Sequence, residues 1–205
     1  MSNITKMDFL DAERRWFEGW LQCRVASYFD NDKPTVFPPA PPLTGKPADA
    51  YQQAVEDLAL TEKERLVLML ALVLWIKPDA LDLLHTKNTA WGLRYSEFGS
   101  DLTQANGRFQ PTVQTALFVL AGDNVSQSQA AMALLSPDGS LVKAGTIEIS
   151  PTGPGEPDTA AVLGISSTFI RKITGSETSG VTHGRSLPPH RLTTRLKPNE
   201  LVVSA

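Results

Sequence analysis

Residues 109–123 read FQPTVQTALFVLAGD, and the rest of the chain is organised around this stretch. The spacing predicts a helix with both ends marked. Pro111 suits a first helical position, and Gly122 suits the left-handed residue just past the last turn. Between them Val113, Ala116, Leu117, Leu120 and Ala121 follow the i, i+3, i+4, i+7, i+8 spacing of a buried stripe, which Phe118 and Val119 widen. Such a helix is core on nearly every side. A second feature is an absence: from Phe109 through Val142 there is no Lys or Arg.

Working outward on the N-terminal side, residues 8–29 form an amphipathic helix. Leu10, Phe17, Leu21, Val25 and Tyr28 make its stripe, with Phe9, Trp16 and Trp20 beside it. So wide an apolar face needs a partner, either its own domain or another subunit, where Trp, Phe and Tyr concentrate at contact cores. Residues 30–48 hold six prolines and read as an extended spacer. A helix at 48–58 precedes another that begins at Thr61, whose capping box closes on Glu64. From Leu66 to Trp75 that second helix is apolar on every face and central to the core. Pro78 opens a short helix through Leu81, Leu83 and Leu84. Residues 87–107 are turn-rich, anchored by Trp91, Tyr95 and Phe98, with a tight turn at Asn106-Gly107.

On the C-terminal side Asp123 or Ser126 caps a helix that runs to Leu135, with Val125, Met132, Leu134 and Leu135 inward. After Gly145 the period becomes strand-like, at 146–149 and again at 161–165, with PTGPGEP as the loop between. Ser166 starts a helix that ends at Gly175, residues 176–187 are rich in Ser, Thr and Gly, and 191–203 read as a final strand. The expected architecture is mainly α with a small β-hairpin, α+β. Its parts are an N-terminal helix (1–29), a Pro-rich linker (30–48), a winged-helix-like domain (49–175), and a flexible segment with a C-terminal strand (176–205). In that domain the helix at 124–135 takes the recognition position and the hairpin is the wing.

The totals bound the function. At 205 residues, 41% hydrophobic and 20% charged, with a net charge of -3, the chain is of globular composition and has no bulk attraction for nucleic acid or anionic lipid. One cysteine, Cys23, excludes an intrachain disulfide and leaves the cytoplasm as the expected location. The longest apolar run, residues 66–76, is 11 residues, too short to span a bilayer, and no signal peptide is expected.

No motif carries catalysis. Gly45-Lys46 lacks the glycine five positions earlier that a phosphate-binding loop needs, Ala40 standing there, and Pro47 follows where Ser or Thr is required. The string GISST at 164–168 ends in Thr and so misses the nucleophile elbow. His183 and His190 lie in the C-terminal segment, and Cys23 has no histidine near it in sequence. Asp79, Asp82 and His85 are spaced by threes, yet a zinc site wants more His or Cys, so a solvated face is the expectation. No cofactor or metal is expected.

A DNA-reading helix needs Arg and Lys, and the helix at 124–135 offers Gln127, Ser128 and Gln129. The wing's loop carries Glu156 and Asp158. The late cations, Arg171, Lys172, Arg185, Arg191, Arg195 and Lys197, form the alternative nucleic-acid surface, although a solvated face or an acidic protein partner suits them better.

The segments LTEKERLVLMLALVLWIKPDALDLL (60–84), YSEFGS (95–100), FQPTVQTALFVLAGD, GTIEIS, GEPDTAAVLGIS and LPPHRLTTRLKPNELVV occur in an order that resembles the winged-helix-containing N-terminal domain of bacterial AAA+ ATPases. Some of those ATPases are encoded with contractile injection systems. The chain departs from that pattern at Val113-Gln114, where Gly-Glu is common, and at residues 197–200, where an acidic stretch is common. No ATPase module accompanies the resembling region, so no ATP-hydrolysing residue carries over. The resemblance implies a non-enzymatic domain that recruits a protein, either the ATPase module or its substrate, without nucleic acid or membrane. Trp16, Trp20 and Gln114 are the expected partner contacts.

Overall fold

A computed structural model of the chain describes residues 9–30, 35–99 and 108–175. In chain order its main elements are α1 (Phe9–Phe29), α2 (Ala50–Asp57), α3 (Glu62–Ile76), α4 (Val113–Ala121), α5 (Val125–Leu134), α6 (Ser140–Lys143), β1 (Ile147–Ser150), β2 (Val162–Ile165) and α7 (Ser167–Thr174). Short 3-10 helices at Pro78–His85, Ser96–Phe98 and Asp158–Ala160 join them. The protein is thus mainly helical with a small antiparallel sheet.

The core forms around α3 because every residue from Glu64 to Val73 is buried. The capping box expected at Thr61 is present. Thr61 Oγ1 accepts the Glu64 N–H, and the Glu64 carboxylate accepts the Thr61 N–H at 2.9 Å, so two orphan donors of the first turn are satisfied. Burial stops at Val73, and the last turn projects outward. Trp75, expected in the core, is 66% exposed.

α4 differs from expectation at its start. Val113, not Pro111, is the first helical residue, and Thr112 caps it, with Thr115 completing a reciprocal box. Pro111 stays outside because the sheet uses it. Its carbonyl accepts the Leu163 N–H at 2.9 Å, and the Val113 N–H reaches Ala161 O at 2.9 Å. Thr112 therefore bridges Val162, and β2 lies between β1 and this short third stretch. The β1–β2 register pairs Ile147 with Ile165 and Ile149 with Leu163, which puts the buried Ile147, Leu163 and Ile165 on the core side. Gly122 ends α4 at φ +62° and ψ −126°, a positive φ as expected but outside the left-handed helical well.

α1 belongs to the same core, so of its two expected partners it takes its own domain, and the Pro-rich stretch packs along it rather than spanning open space as a spacer. Phe9, Trp16, Phe17, Leu21 and Val25 join the single apolar cluster built on α3 and α4. Asp49 fastens two helices at once, one carboxylate oxygen accepting the Leu10 N–H at 2.8 Å and the other the Gln52 N–H at 2.7 Å. Residues 35–43 have no helix or strand of their own and lie along α1. The Trp16 indole N–H donates to Pro38 O at 2.9 Å, and the Trp20 ring meets Phe37 at 4.3 Å. Arg65 donates to Pro41 O at 2.7 Å. Beneath them Glu13 and Arg65 form a buried ion pair, with the Tyr51 hydroxyl 3.4 Å from the Glu13 carboxylate. Burial raises the Glu13 carboxyl above its ordinary value, opposed by the hydrogen bonds and charge of Arg65.

At the far end of α1, Tyr28 packs edge-on against Phe98 and Phe118, at 5.3 and 5.7 Å. The anchors expected at Tyr95 and Phe98 are in place, but Trp91 is not one of them. Asn106-Gly107 and the expected C-terminal strand fall outside the described residues.

Candidate interaction face

α5 is positioned by Asn124, whose Oδ1 accepts the Gln127 N–H at 3.0 Å; the cap is neither Asp123 nor Ser126. The helix rests on Ala131 and Leu135, which are buried. At about 100° per residue, Met132 and Val125 then point roughly 100° and 120° away from Ala131. Both were expected inward, yet Val125 is 74% and Met132 38% exposed. The outer surface of α5 therefore presents apolar side chains among Gln127, Ser128 and Gln129.

Facing the C-terminal end of α5 is the β1–β2 loop, stiffened by Pro151, Pro154 and Pro157 and turned at Gly155, whose φ is +87°. Between them lies a cleft of about 370 Å³, with Val113, Met132, Leu135 and Ile149 among its apolar walls and Glu156 and Asp158 among its polar lining. No Lys or Arg lines it. On the other side of the same loop a second, more open groove of about 1000 Å³ runs toward residues 87–99. Glu156 and Thr152 line both depressions, so the loop is the ridge that separates them. The far wall of the groove includes Lys87 and Arg94.

The residues expected to meet a partner are distributed differently. Trp16 is buried, and the indole N–H groups of Trp16 and Trp20 both go to backbone carbonyls of this chain, Pro38 O and Val119 O. Their role is internal, because α1 has to cover α3 and α4 and the prolines have to cover α1. Arg24 works with Trp20, donating to Val119 O and Leu120 O, each at 3.1 Å, and so satisfying carbonyls at the C-terminal end of α4. Burial lowers the Arg24 guanidinium pKa, with Asp123 opposing. Gln114 does reach the surface. It sits on the wall of the larger groove with its amide 3.4 Å from Glu97 O.

Of the late cations, Arg171 and Lys172 lie exposed on α7. Lys172 is 3.7 Å from Asp57 of α2, and neither lines the cleft or the groove. Arg185, Arg191 and Arg195 are outside the described residues. Asp79, Asp82 and His85 lie along the 3-10 helix at Pro78–His85, the His85 ring edge-on to Phe109 at 5.5 Å. Among the described residues no three His, Cys, Asp or Glu side chains converge as metal ligands, and no helix is long and apolar enough to cross a membrane.

The turn expected from residue 87 onward is present at residues 87–94, but Trp91, expected as an anchor, stands outside the core at its tip. The Lys87–Arg94 bridge closes the turn, with the Asn88 N–H donating to Leu93 O and the Gly92 N–H to Asn88 O, both at 2.8 Å. At its tip Trp91 is 77% and Leu93 68% exposed. The Asn-Thr-Ala-Trp-Gly order signals a turn, and a turn tip is a poor place to bury an indole. Comparison with protein-family models, with curated proteins and with solved structures finds no match to this chain.

Proposed function

We propose that the protein is a non-enzymatic recruitment domain of winged-helix type, which docks a protein partner on the face made by α5 and the β1–β2 loop. The element order supports the winged-helix reading: α3, the 111–113 stretch, α4, α5, then two antiparallel strands with the first stretch paired to the second strand. In that reading α5 occupies the recognition position and the loop is the wing. The observation that carries the functional conclusion is that this face is apolar and acidic where a DNA reader is basic. The sequence resemblance names the partner class, a AAA+ ATPase module or its substrate, in one setting a contractile injection system.

Two measurements test it. Labelled duplex and single-stranded DNA, titrated with the protein at about 50 mM salt, are expected to show no binding. Affinity capture with the chain from native lysate is expected to return an AAA+ ATPase, and V125E/M132E is expected to abolish that capture while leaving the fold intact. DNA binding at that salt, lost in R171E/K172E, would instead establish the nucleic-acid reading.

A further inference from the structure

The geometry points to a two-fold dimer of this chain, in which the Trp91 turn of each copy enters the cleft between α5 and the β1–β2 loop of the other. This inference rests on the docking face proposed above and names a second copy as its occupant.

Across the surface four features follow in order. They are the projecting turn at 87–94, the larger groove, the β1–β2 loop as a ridge, and the smaller cleft against α5. The series alternates projection and hollow. A two-fold axis reverses the order on the second copy, so turn meets cleft, groove meets ridge, ridge meets groove and cleft meets turn. Such a profile is complementary to its own reversal, which is what an isologous contact requires. The chemistry matches at both ends. Trp91 and Leu93 are exposed apolar side chains flanked by Lys87 and Arg94. The cleft has apolar walls, room for one indole, and Glu156 and Asp158 in its lining. Among the described residues neither carboxylate has an ion-pair partner, and the turn's two cations have none either. A Trp seated in a desolvated pocket is a common interface hot spot, and complementary charges beside it fix the register of the two partners.

The test is the mass of the full chain in solution, by sedimentation over a concentration series. A concentration-dependent dimer is expected. Trp91→Ala should raise its dissociation constant at least about thirtyfold without changing the thermal midpoint, since the side chain is exposed. K87E/R94E and E156K/D158K should each be monomeric alone, and an equimolar mixture of the two should form the heterodimer, because both contacts are then complementary again. Failure of the wild-type chain to dimerise, an undiminished W91A dimer, or a mixture that stays monomeric overturns the inference. A second copy and an ATPase partner share this face, so capture is measured on W91A, whose α5 and β1–β2 loop are unchanged: capture by W91A without a wild-type dimer overturns this inference alone, and a wild-type dimer without capture by W91A overturns the recruitment reading alone.

Discussion

Replacing Arg65 by Met should be among the most damaging single changes in the chain, and the damage should depend on pH. The Arg65 and Glu13 side chains are 5% and 0% exposed, joined by two hydrogen bonds, one of them from Nε to Oε2 at 3.2 Å. The guanidinium also lies 5.3 Å from the Trp16 ring centroid and donates to Pro41 O, so it ties α3 to α1 and to the proline stretch. Methionine fills similar volume but leaves the Glu13 carboxylate buried with only the Tyr51 hydroxyl beside it. Breaking a buried pair in this way costs about 3–5 kcal/mol. For a domain of this size that lowers the thermal midpoint by roughly 6–20 °C.

The pH dependence follows from the direction of the Glu13 shift. Burial already raises its carboxyl, and Arg65 supplies the main opposing influences. Removing Arg65 raises it further. A folded-state pKa above the unfolded value contributes stability that is complete below the unfolded value and is lost as pH rises through the folded one. The deficit of R65M relative to wild type should therefore be largest near neutrality and shrink on mild acidification, as Glu13 takes up a proton. Urea unfolding at the two pH values measures it. E13L/R65M, with neither charge left, should return to within about 1 kcal/mol of wild type at neutral pH. An R65M deficit below about 1 kcal/mol at neutral pH, or one unchanged on acidification, would refute the account of this pair.

Two further substitutions probe the helix ends. Gly122→Ala should destabilise by about 1–3 kcal/mol in chemical denaturation, because the positive φ disfavours a side chain and the new Cβ would come within 2.9 Å of Arg24 Nη1. Thr61→Ala should cost about 1 kcal/mol at neutral pH by removing the cap of α3. Burial alone would raise the Glu64 carboxyl, but the Thr61 hydroxyl and N–H outweigh it and hold it below its ordinary value. That contribution is present above the unfolded pKa and is lost as pH falls through the folded one, so the T61A deficit should narrow in acid. Equal deficits at neutral and acid pH would contradict it.

Local signals carried the elements. The Thr61–Glu64 box, the all-round apolar run of α3, the positive φ at Gly122 and the change of period after Gly145 involve residues a few positions apart, whose preferences hold wherever the segment is placed. Whether a large apolar side chain is covered is a different matter, since that depends on segments distant in sequence. Trp16 and Trp75 have equal claim to burial by composition. Trp16 is enclosed because Pro38, 22 positions away, folds back over it, whereas the last turn of α3 carries Trp75 outward. Pro111 reads as a helix opener until Leu163 takes its carbonyl into the sheet. The sequence alone determined that α5 bears no cation. Only the tertiary structure decided that Val125, Met132 and the Trp91 turn face outward beside an acidic cleft, because apolar periodicity shows that a face must be covered but not which part of the chain will cover it.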